Sequence, residues 1–259
     1  MSAYDVVAPV FDSHRALPAG APEAIRTAVL KSVIAAPRLL DLGAGTGRIG
    51  SVFAAAGDDY VGVDLSSGML REFARHGVEH GASLGLAQAD GEQLPFRDSV
   101  FDAVLLIQIF GGLRGWRHVL TEARRVLRRR GAIITGRTSM PPDGIDVRMK
   151  QRLARILSSL GIESDRESTR EQAEDWLRLN ADKHQQITAA EWTAVRTPRG
   201  FIERHGAGRR FSALPAEIKE RAMGELSTWA AGTFGSLDAV FSEPHAFELQ
   251  VFKFQHGKD

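Results

Sequence analysis

Cysteine is missing from all 259 positions of this chain, so neither a disulfide nor a thiolate metal site can form. The same lack fits a reducing compartment, and a cytoplasmic location is expected. Hydrophobic residues make up 43% of the chain, yet they are never gathered into an uninterrupted run of the roughly eighteen that a membrane-spanning helix needs. The first residues carry no apolar leader segment, so secretion is not expected either. Charge of one sign is scarce too, with 33 Lys and Arg against 32 Asp and Glu. That balance gives no electrostatic case for binding nucleic acid or a membrane surface. Internal repeats and low-complexity segments are absent. What remains is a chain long enough to bury a sizeable core as one domain.

The most informative residues present are Leu39 to Gly50, LLDLGAGTGRIG, followed by VGVDLSSGML at Val61 to Leu70. One apolar run ends in Asp41 and gives way to Gly43, Gly45 and Gly47, and a second ends in Asp64. Glycine lets the backbone turn tightly and approach a ligand with no Cβ in the way. A helix opened by such a turn points its free N–H groups into it. An acid closing the next strand is placed to hold two neighbouring ribose hydroxyls. Together these describe a pocket for a nucleoside-bearing cofactor.

A dinucleotide fingerprint, G-x-G-x-x-G, places its third glycine one residue later than Gly47, where this chain has Arg48. Further on, AQADGEQLPFRDSVFDAVLLIQIF places Asp90 at the end of an expected strand and then supplies an apolar run fit for a buried parallel strand. The D-x-G-x-G-x-G form, Asp64, Asp90, the FDAV pattern and Arg125-Val126-Leu127 before Gly131 together resemble the class I S-adenosylmethionine-dependent methyltransferases. The resemblance is to their type 11 group, which includes the quinone-biosynthesis C-methyltransferases, and it covers about residues 25–138. It implies an α/β, Rossmann-like sheet of seven strands in the order 3-2-1-4-5-7-6, with strand seven antiparallel and helical inserts after strands five and six. It also implies S-adenosyl-L-methionine over the carboxyl ends of strands one to four. The residues that would hold it are Asp41, Gly43, Ala44, Gly45, Gly47, Asp64, Leu65, Met69, Asp90, Gly91 and Gln108. In the resembling family the acid equivalent to Asp90 accepts a hydrogen bond from the adenine amine.

Strands and helices alternate, as in a mostly parallel sheet covered on both faces. Strands are expected near 38–43, 59–64, 84–89, 101–107 and 131–137, with helices near 47–56, 67–77 and 116–129. The last of these would carry Arg128, Arg129 and Arg130 at its carboxyl end, where cations suit the helix dipole. After the loop at Pro141, Pro142 and Gly144, a helix over 148–161 should stop at Gly161. Another over 169–180 is expected, capped by Ser168 with Glu171 three residues on. Strands near 184–195 and 246–254 should flank a helical insert over 198–235. The whole, 1–259, reads as a single methyltransferase domain. Its cofactor core is 25–138, and 1–24, 141–180 and 197–244 form a substrate-side lid and inserts.

Methyl transfer from a sulfonium is an in-line displacement governed by proximity and alignment. A general base is needed only when the acceptor must lose a tightly held proton. Relatives often carry a histidine after strand four, where this chain has Gln108, Ile109, Phe110, Gly111 and Gly112, so no catalytic residue carries over. Tyr4, Asp5, Phe11, Asp12 and Arg15 resemble a segment that closes over the cofactor, although a frayed terminus is an equal reading. His118 reads as a surface or packing residue. Arg196, Arg199, His205, Arg209 and Arg210 read first as solvated charges, with Arg199, His205 and Arg210 carried forward as polar contacts to a small-molecule substrate. Trp176, Trp192, Trp229 and Phe234 read as core rather than a substrate wall. No metal is implied. Two other functions stay open: an adenosylmethionine-binding regulatory or interaction module, and a methyltransferase acting on RNA or protein. The second would be expected to bring a basic face or a recognition domain, and neither is evident.

Overall fold

The computed structural model describes residues 17–79, 85–113, 115–162, 166–206, 211 and 214–255. Within them seven strands form one sheet in the order β3-β2-β1-β4-β5-β7-β6. The strands are β1 (Leu39–Leu42), β2 (Tyr60–Asp64), β3 (Gly85–Gln88), β4 (Phe101–Ile107), β5 (Leu127–Ser139), β6 (Lys183–Arg196) and β7 (Phe241–Lys253). β1 is parallel to β2 and β4, β2 to β3, and β4 to β5. β7 runs the other way. Phe254 N–H donates to Gly131 O at 3.1 Å, whereas Gly136 lies against Phe247 and Leu249. On its other side Asp182 N–H donates to Lys253 O, and Thr188 donates to Glu248. Partner numbers fall as β5 and β6 advance, which makes the pairing antiparallel on both sides.

Of the first four runs, β1 is buried completely and β4 in all but its last residue, so their side chains are covered on both faces, β2 is mostly buried, and β3 at the sheet edge is only partly covered. Helix α1 (Ala21–Ser32) buries Ile25 and Val29, and α3 (Ser67–Glu79) buries Met69, Leu70 and Phe73. Helix α2 (Gly50–Ala55) starts three residues later than expected, because Gly47 at φ 82° is left-handed and cannot open a right-handed helix. Helix α4 (Trp116–Val126) also stops early. Leu127 turns extended and pairs with Phe101, so Arg128, Arg129 and Arg130 belong to β5 and not to a helix end. Arg128 meets Asp102 at 2.8 Å and Arg129 reaches Gln255 O at 3.3 Å. Cross-strand pairing has overridden helical continuity there.

The remaining helices are α5 (Ile145–Ser159), α6 (Arg166–Asn180), α7 (Pro198–Gly206) and α8 (Ala216–Phe234). α6 begins at Arg166, so Ser168 lies within the helix and not at the expected N-cap position. The chain forms two compact units. Residues 1–137, 166–190 and 247–259 make the first, with a core that joins Leu40, Val104, Leu120, Ile133, Leu177 and Phe252. Residues 138–165 and 191–246 make the second, where α5, α7 and α8 bury Met149, Leu153, Phe201, Leu226 and Ala230.

Candidate functional site

β1 ends at Leu42, and three left-handed glycines follow within five residues: Gly43 at φ 77°, Gly45 at 58° and Gly47 at 82°. Each has a separate reason to lack a side chain. A Cβ on Gly47 would lie 2.1 Å from the Phe73 ring, and one on Gly43 would lie 2.8 Å from Ile109 Cδ1. A Cβ on Gly45 would meet only Gly43 O, at 3.9 Å. The first two make room for protein, and the third opens onto space beyond the turn.

Two N–H groups, of Gly43 and Ala44, donate to Val63 O at 2.8 and 3.0 Å and tie the turn to β2. Asp64, which ends β2, completes the tie. Its Oδ2 accepts from Gly45 N–H at 3.0 Å and its Oδ1 from Ser66 N–H at 2.8 Å. One carboxylate thus bridges the glycine turn and the start of α3. Met69 is buried, with its N–H on Ser66 Oγ at 3.2 Å, and Leu65 is exposed at the rim. Ala89 N–H donates to Asp64 O, which brings the end of β3 alongside. There Asp90, itself exposed, accepts from Glu92 N–H at 2.9 Å, and Gly91 lies against Val119.

Asp41 faces inward. It is 3% exposed and accepts the Tyr60 phenolic proton at 2.7 Å. Burial pushes its carboxyl up to about 6, the Tyr60 hydrogen bond works against that shift, and the Asp64 charge adds to it. Directly after the neighbouring strand β4, Gln108 adopts a left-handed φ of 55°, rare for a residue other than glycine, and its N–H donates to Gly136 O. Its side-chain oxygen accepts from the Arg48 guanidinium. The sequence reading named Gln108 but gave Arg48 no role. An arginine directly after a glycine turn was the available signal.

The turn, Asp64, Asp90 and Gln108 therefore stand at the carboxyl ends of β1, β2, β3 and β4. The strand order reverses between β1 and β4, and open α/β sheets bind ligands at such a switch point. Residues 40–135 match the family model described as a methyltransferase domain. A demethylmenaquinone methyltransferase of Clavibacter sepedonicus is 35% identical over 170 residues, which cover 60% of this chain and 68% of that protein. The chain belongs to the class I S-adenosylmethionine-dependent methyltransferases.

The malonyl-[acyl-carrier protein] O-methyltransferase of Geobacter sulfurreducens is 35% identical over 122 residues, 45% of this methyltransferase and 44% of the relative. The methyltransferase thus spans about two thirds of one curated relative and less than half of the other. Among solved structures, the YcgJ protein of Bacillus subtilis superposes with a TM-score of 0.60 at 21% identity, over 90% of the methyltransferase and 99% of that chain. That likeness shows the fold.

Of the other polar residues named from sequence, His118 lies in the first unit of the methyltransferase, Arg196, Arg199 and His205 lie in the second, and the rest fall outside the described residues. Arg199 is exposed and forms a two-bond fork with Asp238 at 2.6 and 2.9 Å. His205 stacks on the Phe201 ring at 3.7 Å between centroids, with Nδ1 3.0 Å from Phe201 O. Burial pushes the imidazole of His205 below its ordinary value. Arg209, Arg210 and the segment from Tyr4 to Arg15 lie outside the described residues. His118 meets Glu92 at 3.4 Å on the surface. Among the described residues no group of three His, Asp or Glu could hold a metal, and no helix is long and apolar enough to cross a membrane.

Proposed function

We propose that this methyltransferase binds S-adenosyl-L-methionine across the ends of β3, β2, β1 and β4 and moves its methyl group to a small-molecule acceptor. The observation that carries this reading is the Asp64 carboxylate held against Gly45 N–H, beside a turn that opens where a Cβ would point. A carboxylate has about four acceptor positions, enough to serve the turn and two ribose hydroxyls together. Asp90 is assigned to the adenine amine, with Leu65 and Met69 at the ring. Gly43, Ala44, Gly45, Gly47 and Gln108 are assigned to the methionine end, with Asp41 beneath them. Acceptor recognition is assigned to residues 1–24, 141–180 and 197–244, with Arg199, His205 and Arg210 as its polar contacts. The two units are read as one working domain.

The bound cofactor supplies a methyl carbon on a positively charged sulfur, which is already a good leaving group. What the chain's own residues contribute is placement. The glycine turn allows close backbone approach, Asp64 and Asp90 fix the nucleoside, and the β4 end lines the methionine portion. By holding the cofactor this way, the chain's residues would supply alignment of its methyl carbon for in-line attack by the acceptor, and exclusion of water. No side chain is assigned as a base, so the acceptor would arrive nucleophilic or lose its proton to solvent.

Asp64→Ala should weaken binding of S-adenosylhomocysteine by about 1.5–3 kcal/mol, the range for hydrogen bonds to a charged group. Calorimetry on the folded variant decides it. Unchanged affinity would remove Asp64 from the site. A product assay with labelled S-adenosylmethionine across small acceptors, RNA and protein then separates the small-molecule reading from its rivals.

A further inference from the structure

Beyond the residues assigned to the cofactor, the first unit carries two arginines, Arg137 and Arg170, that feel each other's charge. Alternation along β5 puts Ile133, Thr135 and Arg137 on one face. Ile133 packs in the same cluster as Ala173 and Leu177, so this is the face that α6 covers. Leu177, Ala173 and Arg170 lie along one face of α6 at helical spacing. Arg170 and Arg137 come close enough to oppose each other's charge. Burial pushes the Arg170 guanidinium down, Glu174 one turn on pulls it up, and the Arg137 charge adds a smaller push down. Glu174 is itself engaged with Arg178 at 3.5 Å. Among the described residues neither guanidinium is in a hydrogen bond or a close ion pair, and Glu174 meets the Arg170 charge only from a distance.

A second observation is independent of the charges. Thr135 is 2% exposed, and its hydroxyl oxygen has no hydrogen-bond partner. A buried hydroxyl without a partner is costly and calls for an explanation. It stands two residues before Arg137 on the same face. Gly136 between them pairs with Ile107, next to Gln108 at the end of β4. Glu174 meets one of the two charges and is shared with Arg178, so an anion held between the two guanidiniums is still favoured, and guanidinium forks suit carboxylate and phosphate oxygens.

We propose that Arg137 and Arg170, with the Thr135 hydroxyl beneath them, form a subsite for an anionic group, a carboxylate or a phosphate, carried by the methyl acceptor. The assignment to the acceptor rests on the reading that the methionine end of the cofactor lies at Gln108. The acceptor is then an anionic small molecule, anchored through its charge at the end of β5.

The test uses the full chain saturated with S-adenosylhomocysteine at low ionic strength, titrated separately with inorganic phosphate and with benzoate. Binding is read by calorimetry and by the arginine Nε–H signals in NMR. At least one anion should bind in the millimolar range, and the stronger one tells a phosphorylated acceptor from a carboxylic acid. Arg137→Met and Arg170→Met should each weaken it by about tenfold or more. Arg170→Lys, which keeps the charge without the fork, should lose less. Affinity for S-adenosylhomocysteine should stay within about twofold in all three. Should neither anion bind, or should both bind the Met variants as they bind the parent, the subsite does not exist. If the variants instead lose S-adenosylhomocysteine and that ligand displaces the anion, the pair holds the cofactor's own carboxylate and the proposal fails. Parent protein that binds no S-adenosylhomocysteine would sink the cofactor reading alone, since the anion titrations remain readable on the free chain.

Discussion

At the scale of single residues, the glycine turn separates stability from ligand space. Alanine at Gly45 meets almost nothing and bears only the left-handed penalty of about 1–2 kcal/mol. At Gly47 the same change also drives a methyl into the Phe73 ring, and overpacking brings the expected cost to about 2–5 kcal/mol. Gly45→Ala should therefore fold well and bind S-adenosylhomocysteine poorly, whereas Gly47→Ala should show its main loss in denaturant unfolding. The reverse pattern would put the ligand on the wrong side of the turn. Asp41 adds a pH-dependent term. Its carboxyl is raised from 3.8 to about 6, so the folded chain holds this proton more tightly than the unfolded chain does. The contribution is full below about 4 and is lost as pH rises through about 6, a difference of about 3 kcal/mol. Asp41→Asn keeps an oxygen for Tyr60 and removes the ionisation. Relative to the parent it should gain stability at pH 7.5 and show little gain at pH 4. Equal effects at both pH values would mean that the buried charge is not the source of strain.

At the scale of elements, what was legible depended on how local the deciding contact was. β1, β2 and β4 and the turn between the first two could be read because a short apolar run closed by glycine or acid is a local pattern. The start of β5 could not be read, because Arg128 leaves the helix for Asp102 on a strand 26 residues away. The α2 boundary turned on Gly47 adopting a left-handed φ of 82°, a choice that the glycine permits but the sequence pattern does not reveal. The glycine turn and Asp64, proposed to hold the cofactor, were legible as a pattern for the same local reason, while the proposed Arg137 and Arg170 pair depends on residues 33 positions apart. Arg125 shows how such contacts position the site. Its guanidinium forks onto Glu122 with both bonds at 2.7 Å, reaches Asp98 at 2.8 Å, and donates to the carbonyls of Phe96 and Leu94. Glu122 in turn accepts from Leu94 N–H. The loop that follows Asp90 is thus pinned to α4 by one side chain. Arg125→Met should cost about 2–4 kcal/mol by leaving carboxylates and carbonyls unpaired. It should also weaken S-adenosylhomocysteine binding without touching the ligand. Lysine cannot reproduce the fork and should rescue little. A variant with full stability and full affinity would show that the loop holds its shape unaided.

At the scale of the whole molecule, the two units carry buried titrating groups of opposite sense. In the second unit His205 stacks on Phe201 and His245 is 3% exposed, with neither ring nitrogen of His245 hydrogen-bonded. Burial pushes both imidazoles below their ordinary value. Around His245, Arg196 adds to that shift, while Asp146 and Glu243 oppose it. Around His205, Arg204 and Lys150 add to it, while Asp146 and the Phe201 carbonyl oppose it. For a histidine lowered on folding, the unfolded chain takes up the proton first. Stability from both rings is therefore whole above the ordinary value of 6.5 and is lost as pH falls from there toward the folded values. Asp41 in the first unit gains over part of the same interval, as its proton returns near 6. Hydrogen exchange, corrected for the intrinsic effect of pH, should show the units diverging between pH 7.5 and 5. Amides of α5, α7 and α8 should lose protection, and those of β1 and β2 should hold or gain it. Replacing His245 with Gln and His205 with Asn should flatten the response of the second unit and leave the first unchanged. If both units moved together in the parent and in the variant, they would open as one cooperative body and the buried imidazoles would not set its acid limit.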